Sequence, residues 1–362
     1  SQSFHSFFWN TATLCTGLIL LAAADGLRTG TFTVGDFALF VIYVGVLAEF
    51  VAVIGDFMMH LKQGAVSMER MISLSHDETG ASVVAHAPIH KHGPLPEVVV
   101  PRRKASDRLE ELRVDHLDFH WPGTGDSEGK STNITGLRDI SFAVSRGEFV
   151  VITGRIGSGK TTLLRALLGL LPADSGSITW NGKQVADPAQ FFVPPRCAYT
   201  PQVPQLFSDT LQSNIRMGVP ATPEELDATV RLAVMEDDIP RLQQGLNTLV
   251  GAKGVKLSGG QRQRTAAARM FVRDPELLVF DDLSSALDIE TENLLWDRTF
   301  SRGDRTCLVV SHRRPALERA DRIILMKDGA IEGMGTLSEL LDQHEEMGAL
   351  WRGGFETGAR SV

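Results

Sequence analysis

The run FVVITGRIGSGKTTLLRALLGLL carries the spacing G-x-x-x-x-G-K-T, with Gly154, Gly159, Lys160 and Thr161 between a strand-like apolar run and a Leu/Ala-rich helical run. Its context gives the spacing chemical meaning. Glycines, Gly157 among them, let successive backbone N–H groups turn toward phosphate oxygens, and the following helix N-terminus adds positive potential. Lys160 is placed to reach β- and γ-phosphates, Ser158 and Thr162 complete the loop, and the Thr161 hydroxyl can bind Mg²⁺. The implied ligand is a nucleotide triphosphate with Mg²⁺.

A second run, LLVFDDLSSALD, drives an apolar strand into two adjacent acids. A carboxylate ending such a strand holds Mg²⁺ opposite the phosphate loop in P-loop ATPases, which assigns Asp281, and Asp282 then faces the attacking water. The competing reading is a pair of carboxylates capping the turn before Ser284 and Ser285. Upstream, GTGDSEGKST imitates the loop at Gly129, Lys130 and Ser131, but its spacing from Gly123 is one residue too long. Neither flank is a strand-to-helix junction, so this reads as a polar loop, and the Asn133-Ile134-Thr135 glycosylation pattern has no use in a cytosolic domain.

These motifs need an α/β scaffold, and 362 residues with 43% hydrophobic content suffice for one large or two ordinary domains. The net charge of −8 argues against a general nucleic-acid binder, since phosphate backbones are held by Lys and Arg. Cys15, Cys197 and Cys307 share no metal or redox spacing. Residues 1–70 differ from the rest: the runs at about 7–24 and 37–59 are each long enough to cross roughly 30 Å of hydrocarbon at about 1.5 Å per residue. A signal peptide is disfavoured for the first run because no Lys or Arg precedes it and a second span follows. Lys62 and Arg70 place a cytosolic face after Met59. Residues 75–110, rich in Pro, Ala, His and charge, read as a linker. Its His86, His90 and His92 lack a second ligand cluster, and Arg102-Arg103-Lys104 reads as a solvated stretch able to touch anionic lipid. In TPEELDATVRLAVM, Thr222 is placed to cap a helix, with Pro223 in its first turn and Glu225 completing a capping box.

With these motifs in order the chain resembles the last two transmembrane helices plus the nucleotide-binding domain of an ABC exporter half-transporter. The resemblance rests on the phosphate loop, YTPQ, VKLSGGQRQR, SALD and VVSHR, and covers nearly the whole chain. It implies an all-α transmembrane hairpin over 1–74, then an α/β P-loop ATPase domain over 111–362 with a helical subdomain at about 205–272. By the same resemblance Ser258, Gly259, Gly260 and Gln261 form the signature that meets ATP held by a second subunit. Gln202 contacts Mg²⁺, His312 helps position the water, and Trp121 stacks on adenine unless it is simply a packed aromatic beside a Pro turn. The implied cofactors are ATP and Mg²⁺, the implied partner is a second half-transporter, and the implied location is the cell membrane, with contact to lipid.

Three departures from the family pattern shape the functional expectation. The family usually has Glu where Asp282 stands, and a carboxylate drawn back by about 1 Å can cost on the order of 10²-fold in rate. This favours a heterodimer in which this site hydrolyses slowly, with a homodimer of slow sites the alternative. Ala252 replaces an acid expected at the membrane-coupling loop, leaving Lys253 as a candidate. Two spans stand where a half-transporter has six, so the chain is expected to be N-terminally incomplete or to rely on a partner. Glu49 and Asp56, seven residues apart on one helical face, are candidates for contact with a polar or cationic substrate, or line a wet wall without touching it. The other classes consistent with the ATP motifs are a soluble ABC ATPase acting on nucleic acid or ribosomes, and a regulatory half that exports nothing; the membrane spans and the lack of a basic surface weigh against the first.

Overall fold

The computed structural model describes residues 13–14, 16–19, 21, 23–24, 26, 28–31, 33–74, 80–86, 101, 103–121, 136–252, 256–301 and 305–352. Cys15, His90, His92, Arg102, Gly123, Gly129, Lys130, Ser131, Asn133 and Lys253, and residues 7–12 of the first apolar run, lie outside that set. The chain divides into two units, Ser1–Pro96 and Glu97–Val362.

In the first unit the second apolar run is part of one helix, Val34–Leu74, of 41 residues. It continues well past Met59, through Lys62 and Arg70, to roughly 60 Å at about 1.5 Å per residue. Thr33 and Asp36 begin it by reciprocal capping: the Asp36 N–H donates to Thr33 Oγ1 at 3.2 Å, and the Thr33 hydroxyl donates to Asp36 Oδ2 at 2.6 Å. The side chains of Leu39, Ile42, Tyr43, Val46, Phe50 and Phe57 are exposed along a strongly apolar stretch. That length and composition suit a membrane span. Glu49 and Asp56 both lie exposed on it.

The second unit is built on a six-stranded sheet in the order β12-β11-β3-β10-β9-β6. Its strands are β3 (Phe149–Gly154), β6 (Cys197–Thr200), β9 (Leu277–Asp281), β10 (Thr306–Val310), β11 (Arg322–Lys327) and β12 (Ala330–Gly335). All pairings are parallel except that of β12 with β11. Strands buried on both faces read as continuous apolar runs, as in FVVIT and LLVF. Alternation along each strand divides their side chains between two cores. Val151, Phe280 and Val309 join Trp296 and Ala267 on the helical side. Ile152, Val279 and Val310 join Leu163, Leu164 and Leu167 on the other. That second core also contains Val114, Phe119 and Ile140, from an antiparallel sheet ordered β2-β1-β4-β5. It comprises β1 (Glu111–Phe119), β2 (Leu137–Ser145), β4 (Ser175–Trp180) and β5 (Lys183–Gln184).

The helical subdomain contains helices Leu211–Arg216, Pro223–Leu232 and Gly259–Phe271 and a small ribbon of β7 (Asp209–Thr210) with β8 (Leu249–Val250). The expected cap is present: Thr222 and Glu225 form a capping box with Pro in the first turn. Residues read as the end of the linker also pack on this unit. Leu109 is fully buried, its N–H donating to Glu276 Oε2 at 3.1 Å, and Asp107 pairs with Arg196 at 2.8 Å.

The helical-side core is anchored by Trp296, fully buried between Phe149 at 5.3 Å and Phe280 at 5.6 Å. Replacing it with Ala is expected to destabilise this unit by roughly 3–5 kcal/mol. Thermal unfolding of the full chain, followed by near-UV circular dichroism, checks this; a transition unmoved from wild type contradicts it.

Candidate nucleotide site

The phosphate loop lies between β3 and the helix Lys160–Leu167, and its glycines are set by geometry. Gly154 has φ 143°, and a Cβ there would fall 2.1 Å from the Met326 carbonyl oxygen; Gly157 and Gly159 also have positive φ. Ser158 is buried, and Thr162 lies in the first turn of the helix. Lys160 Nζ curls over the loop, donating to the carbonyl oxygens of Gly154 at 2.8 Å and Arg155 at 2.7 Å and to Ser158 Oγ at 3.3 Å. Burial lowers its pKa, opposed by the charges of Asp282 and Asp281.

Asp281 ends β9, separated from β3 by β10, and the sheet brings it to the loop. The Thr161 hydroxyl donates to Asp281 Oδ1 at 3.0 Å and the Tyr199 hydroxyl to Oδ2 at 3.3 Å. Burial raises the Asp281 carboxyl above its ordinary value against these bonds and Arg165, and the same burial pushes the Tyr199 hydroxyl up to about 12. A buried carboxylate whose charge two hydroxyl donors do not fully compensate, beside a Thr hydroxyl, fits a hard divalent cation.

Asp282 sits in the left-handed region, at φ 52° and ψ 44°, which redirects the chain out of β9. Gln202 Nε2 donates to its Oδ2 at 3.2 Å, whereas Oδ1 is buried without a protein partner. Burial raises this carboxyl too; His312, Gln202, Lys160 and Arg313 act in the opposite direction. Thus Lys160, Thr161, Gln202, Asp281, Asp282 and His312 are brought to one end of the parallel sheet. Brought together with them are residues the sequence reading passed over. Tyr199 stands in YTPQ and Arg313 in VVSHR, within the quoted motifs. Glu292, fully buried in helix Ile289–Phe300, had no marker, because one acid in a helical pattern looks like a solvated face.

Arg313 links three pieces around Asp282. It pairs with Glu292 at 3.1 Å and donates to the Leu287 carbonyl oxygen at 2.6 Å and to that of Ser284. Gln263 donates to Ser285 Oγ at 3.1 Å and accepts from the Ala286 N–H at 3.2 Å, fixing the same loop from the signature helix.

The signature residues have different neighbours. Ser258 caps helix Gly259–Phe271 in a reciprocal box with Gln261, and Gln261 Nε2 donates to Asp238 at 2.9 Å. A Cβ at Gly260 would lie 2.9 Å from the Ala286 carbonyl oxygen. Trp121 is half-buried and meets Phe119 edge-on with centroids 5.0 Å apart. Cys197 and Cys307 are buried thiols whose pKa values burial pushes up, which fits structural roles. Among the described residues no group of three His, Cys, Asp or Glu has metal-site geometry. An open cleft of about 660 Å³, bounded by Phe207, Asn214, Met217 and Pro220, has no phosphate-loop residue in its lining.

A family model described as "ABC transporter" matches residues 137–285, spanning the phosphate loop, the Gln202 segment, the signature and both acids. The chain carries an ABC transporter ATPase domain. The second unit is its nucleotide-binding domain, preceded by the helical unit. The chain is 33% identical over 346 residues to the probable multidrug resistance ABC transporter ATP-binding/permease protein YheI of Bacillus subtilis, covering 93% of this chain and 54% of that one. It is 40% identical over 232 residues to the ABC transporter ATM1 of Toxoplasma gondii, covering 63% of this chain and 20% of that one. The solved structure of a bacterial Atm1-family ABC exporter with ATP bound is similar at a TM-score of 0.64 and 29% identity, over 95% of this chain and 57% of that one. The chain therefore spans about half the length of YheI and a fifth of ATM1.

Within this ABC domain the Glu292–Arg313 pair is open to test. Arg313→Ala leaves the buried Glu292 carboxylate unpaired and is expected to cost about 3 kcal/mol. Adding Glu292→Gln should recover part of that loss. Thermal unfolding of the two single variants and the double variant measures the coupling; strictly additive losses would show that the pair does not act as a unit.

Proposed function

We propose that this chain is the ATP-binding and ATP-hydrolysing half of an ABC exporter, driving an unidentified substrate across a membrane, the cell membrane in our reading. The observation that carries the reading is the Thr161–Asp281 hydrogen bond of 3.0 Å beneath the Lys160 loop, which sets a phosphate-binding loop against a carboxylate suited to Mg²⁺. The exposed 41-residue apolar helix and the likeness to an exporter solved with ATP support coupling to transport.

In this assignment Thr161, Asp281 and Gln202 would hold Mg²⁺ by hard oxygen donors, and Mg²⁺ would neutralise charge on the phosphates. Gly154 to Thr162 cradle the triphosphate with backbone N–H groups and the Lys160 ammonium, and Trp121 offers its ring to adenine. Ser258 to Gln261 serve ATP held by a second half-transporter: Gln261 is bonded to Asp238, and Gly260 packs too closely on the Ala286 carbonyl to carry a side chain. Asp282 orients and deprotonates water with help from His312. Its short side chain, engaged by Gln202 at 3.2 Å, supports a slow site and favours a heterodimer with a partner that supplies the faster one. Nucleic acid has no part in this activity.

Lys160→Ala should weaken ATP binding at least about tenfold, since it removes the ammonium that meets the phosphates; equilibrium binding of a fluorescent ATP analogue measures this. Asp282→Glu in the assembled transporter should raise ATP turnover by about tenfold or more, as the longer carboxylate reaches the water. Unchanged phosphate release would remove the slow-site reading and leave the ATP-binding assignment to the Lys160 result.

A further inference from the structure

A second concave site of about 360 Å³ lies at the pole of the parallel sheet opposite the phosphate loop. Three of its lining residues stand just before core strands: Arg146 ahead of β3, Glu276 ahead of β9 and Arg305 ahead of β10. The same strands carry Gly154, Asp281 and Ser311 at or beyond their other ends, so five to six residues of strand, roughly 17–20 Å, separate the two sites. The remaining wall is the segment entering the unit, with Arg103, Lys104 and Arg108.

The charge balance of this cleft runs against that of the chain. Five cations line it with two acids, Asp274 and Glu276, in a protein whose net charge is −8. Both acids are engaged by Arg103, which pairs with Glu276 and lies 3.4 Å from Asp274. Glu276 also accepts the Leu109 N–H, and Asp274 stands 4.0 Å from Arg305, whose guanidinium lies 5.2 Å from the centre of the Phe271 ring. Arg108 pairs with Glu110 outside the lining at 3.3 Å, both side chains being more than half exposed, so water screens that pair. Arg146 Nε is buried with no hydrogen-bond acceptor. The Arg146 side chain lines the cleft, and a concavity with surplus positive charge favours an external anionic ligand.

We propose that this cleft binds an anion bearing phosphate groups, with Arg146, Arg305 and Lys104 as its principal contacts. The guanidinium fork matches paired phosphate oxygens, and a multiply charged phosphate balances the surplus better than a single carboxylate. The volume is at the lower end of ligand sites, which run to roughly 300–1,000 Å³, and suits a phosphorylated headgroup or a small soluble phosphate compound. The site is distinct from the ATP site in position and in residues.

The test uses the full chain in detergent with Mg²⁺ and a saturating non-hydrolysable ATP analogue, so that the phosphate loop is filled. Titration with inorganic pyrophosphate by calorimetry, at matched free Mg²⁺, should reveal one further site. Arg146→Gln and Lys104→Gln should each weaken it at least about tenfold while leaving analogue binding and the unfolding midpoint unchanged. Arg146→Lys, which keeps the charge but loses the fork, should bind with intermediate affinity and serves if Arg146→Gln does not fold. Absence of the further site, or wild-type pyrophosphate affinity in the Arg146 and Lys104 variants, overturns the proposal. Repeating the titration in nanodiscs distinguishes the sources. Weaker pyrophosphate binding in phosphatidylglycerol discs than in phosphatidylcholine discs, abolished by Lys104→Gln, identifies a lipid headgroup as competitor; equal affinity in the two identifies a soluble phosphate compound.

Discussion

The hydrogen bond from Thr161 to Asp281 joins two segments 120 residues apart in sequence, and much of the second unit can be understood as what holds its ends in place. One end is the first turn of a helix whose start depends on positive-φ glycines, and the other is the last residue of a buried strand. Their strands, β3 and β9, do not touch; β10 lies between them and pairs with both in parallel register. A parallel sheet brings the C-terminal ends of such strands to one edge, and this is where ligands of α/β folds bind.

That placement keeps acidic groups in a low-dielectric environment. Burial raises the carboxyl groups of Asp281, Asp282 and Glu292, each opposed by hydrogen bonds or nearby cations. Arg313 balances Glu292 directly and, through two carbonyl oxygens, fixes the loop after Asp282. The nucleotide edge is therefore an electrostatic network as much as a set of ligands. Its parts come from the strands β9 and β10, the phosphate loop and the signature helix, so displacement of any of them is felt at the others.

Much of this was legible beforehand because it is local. The phosphate loop, the acids ending an apolar strand and the capping box at Thr222 are short-range patterns with a physical meaning within ten or so residues. The apolar run ending near Met59 was legible as a long apolar helix, but the helix runs on to Leu74, because charge at Lys62 and Arg70 ends an apolar run and not the helical hydrogen bonding. The same limit applies to the start of the ATPase unit: Leu109 looked like linker and is core, since burial depends on Glu276 and its neighbours far along the chain.

The sequence by itself determined which groups are suited to phosphate and a metal ion, since backbone torsion at Gly154 and charge at Lys160 and Asp281 are written in residue type and spacing. Only the tertiary structure decided who their neighbours are. It gave Tyr199 to Asp281, Gln202 to Asp282 and Glu292 to Arg313, and it gathered Lys104, Arg146 and Arg305 at the far pole. Strand order is the reason: which strands lie side by side is set by non-local pairing and by the division of side chains between two cores, and no local period records it.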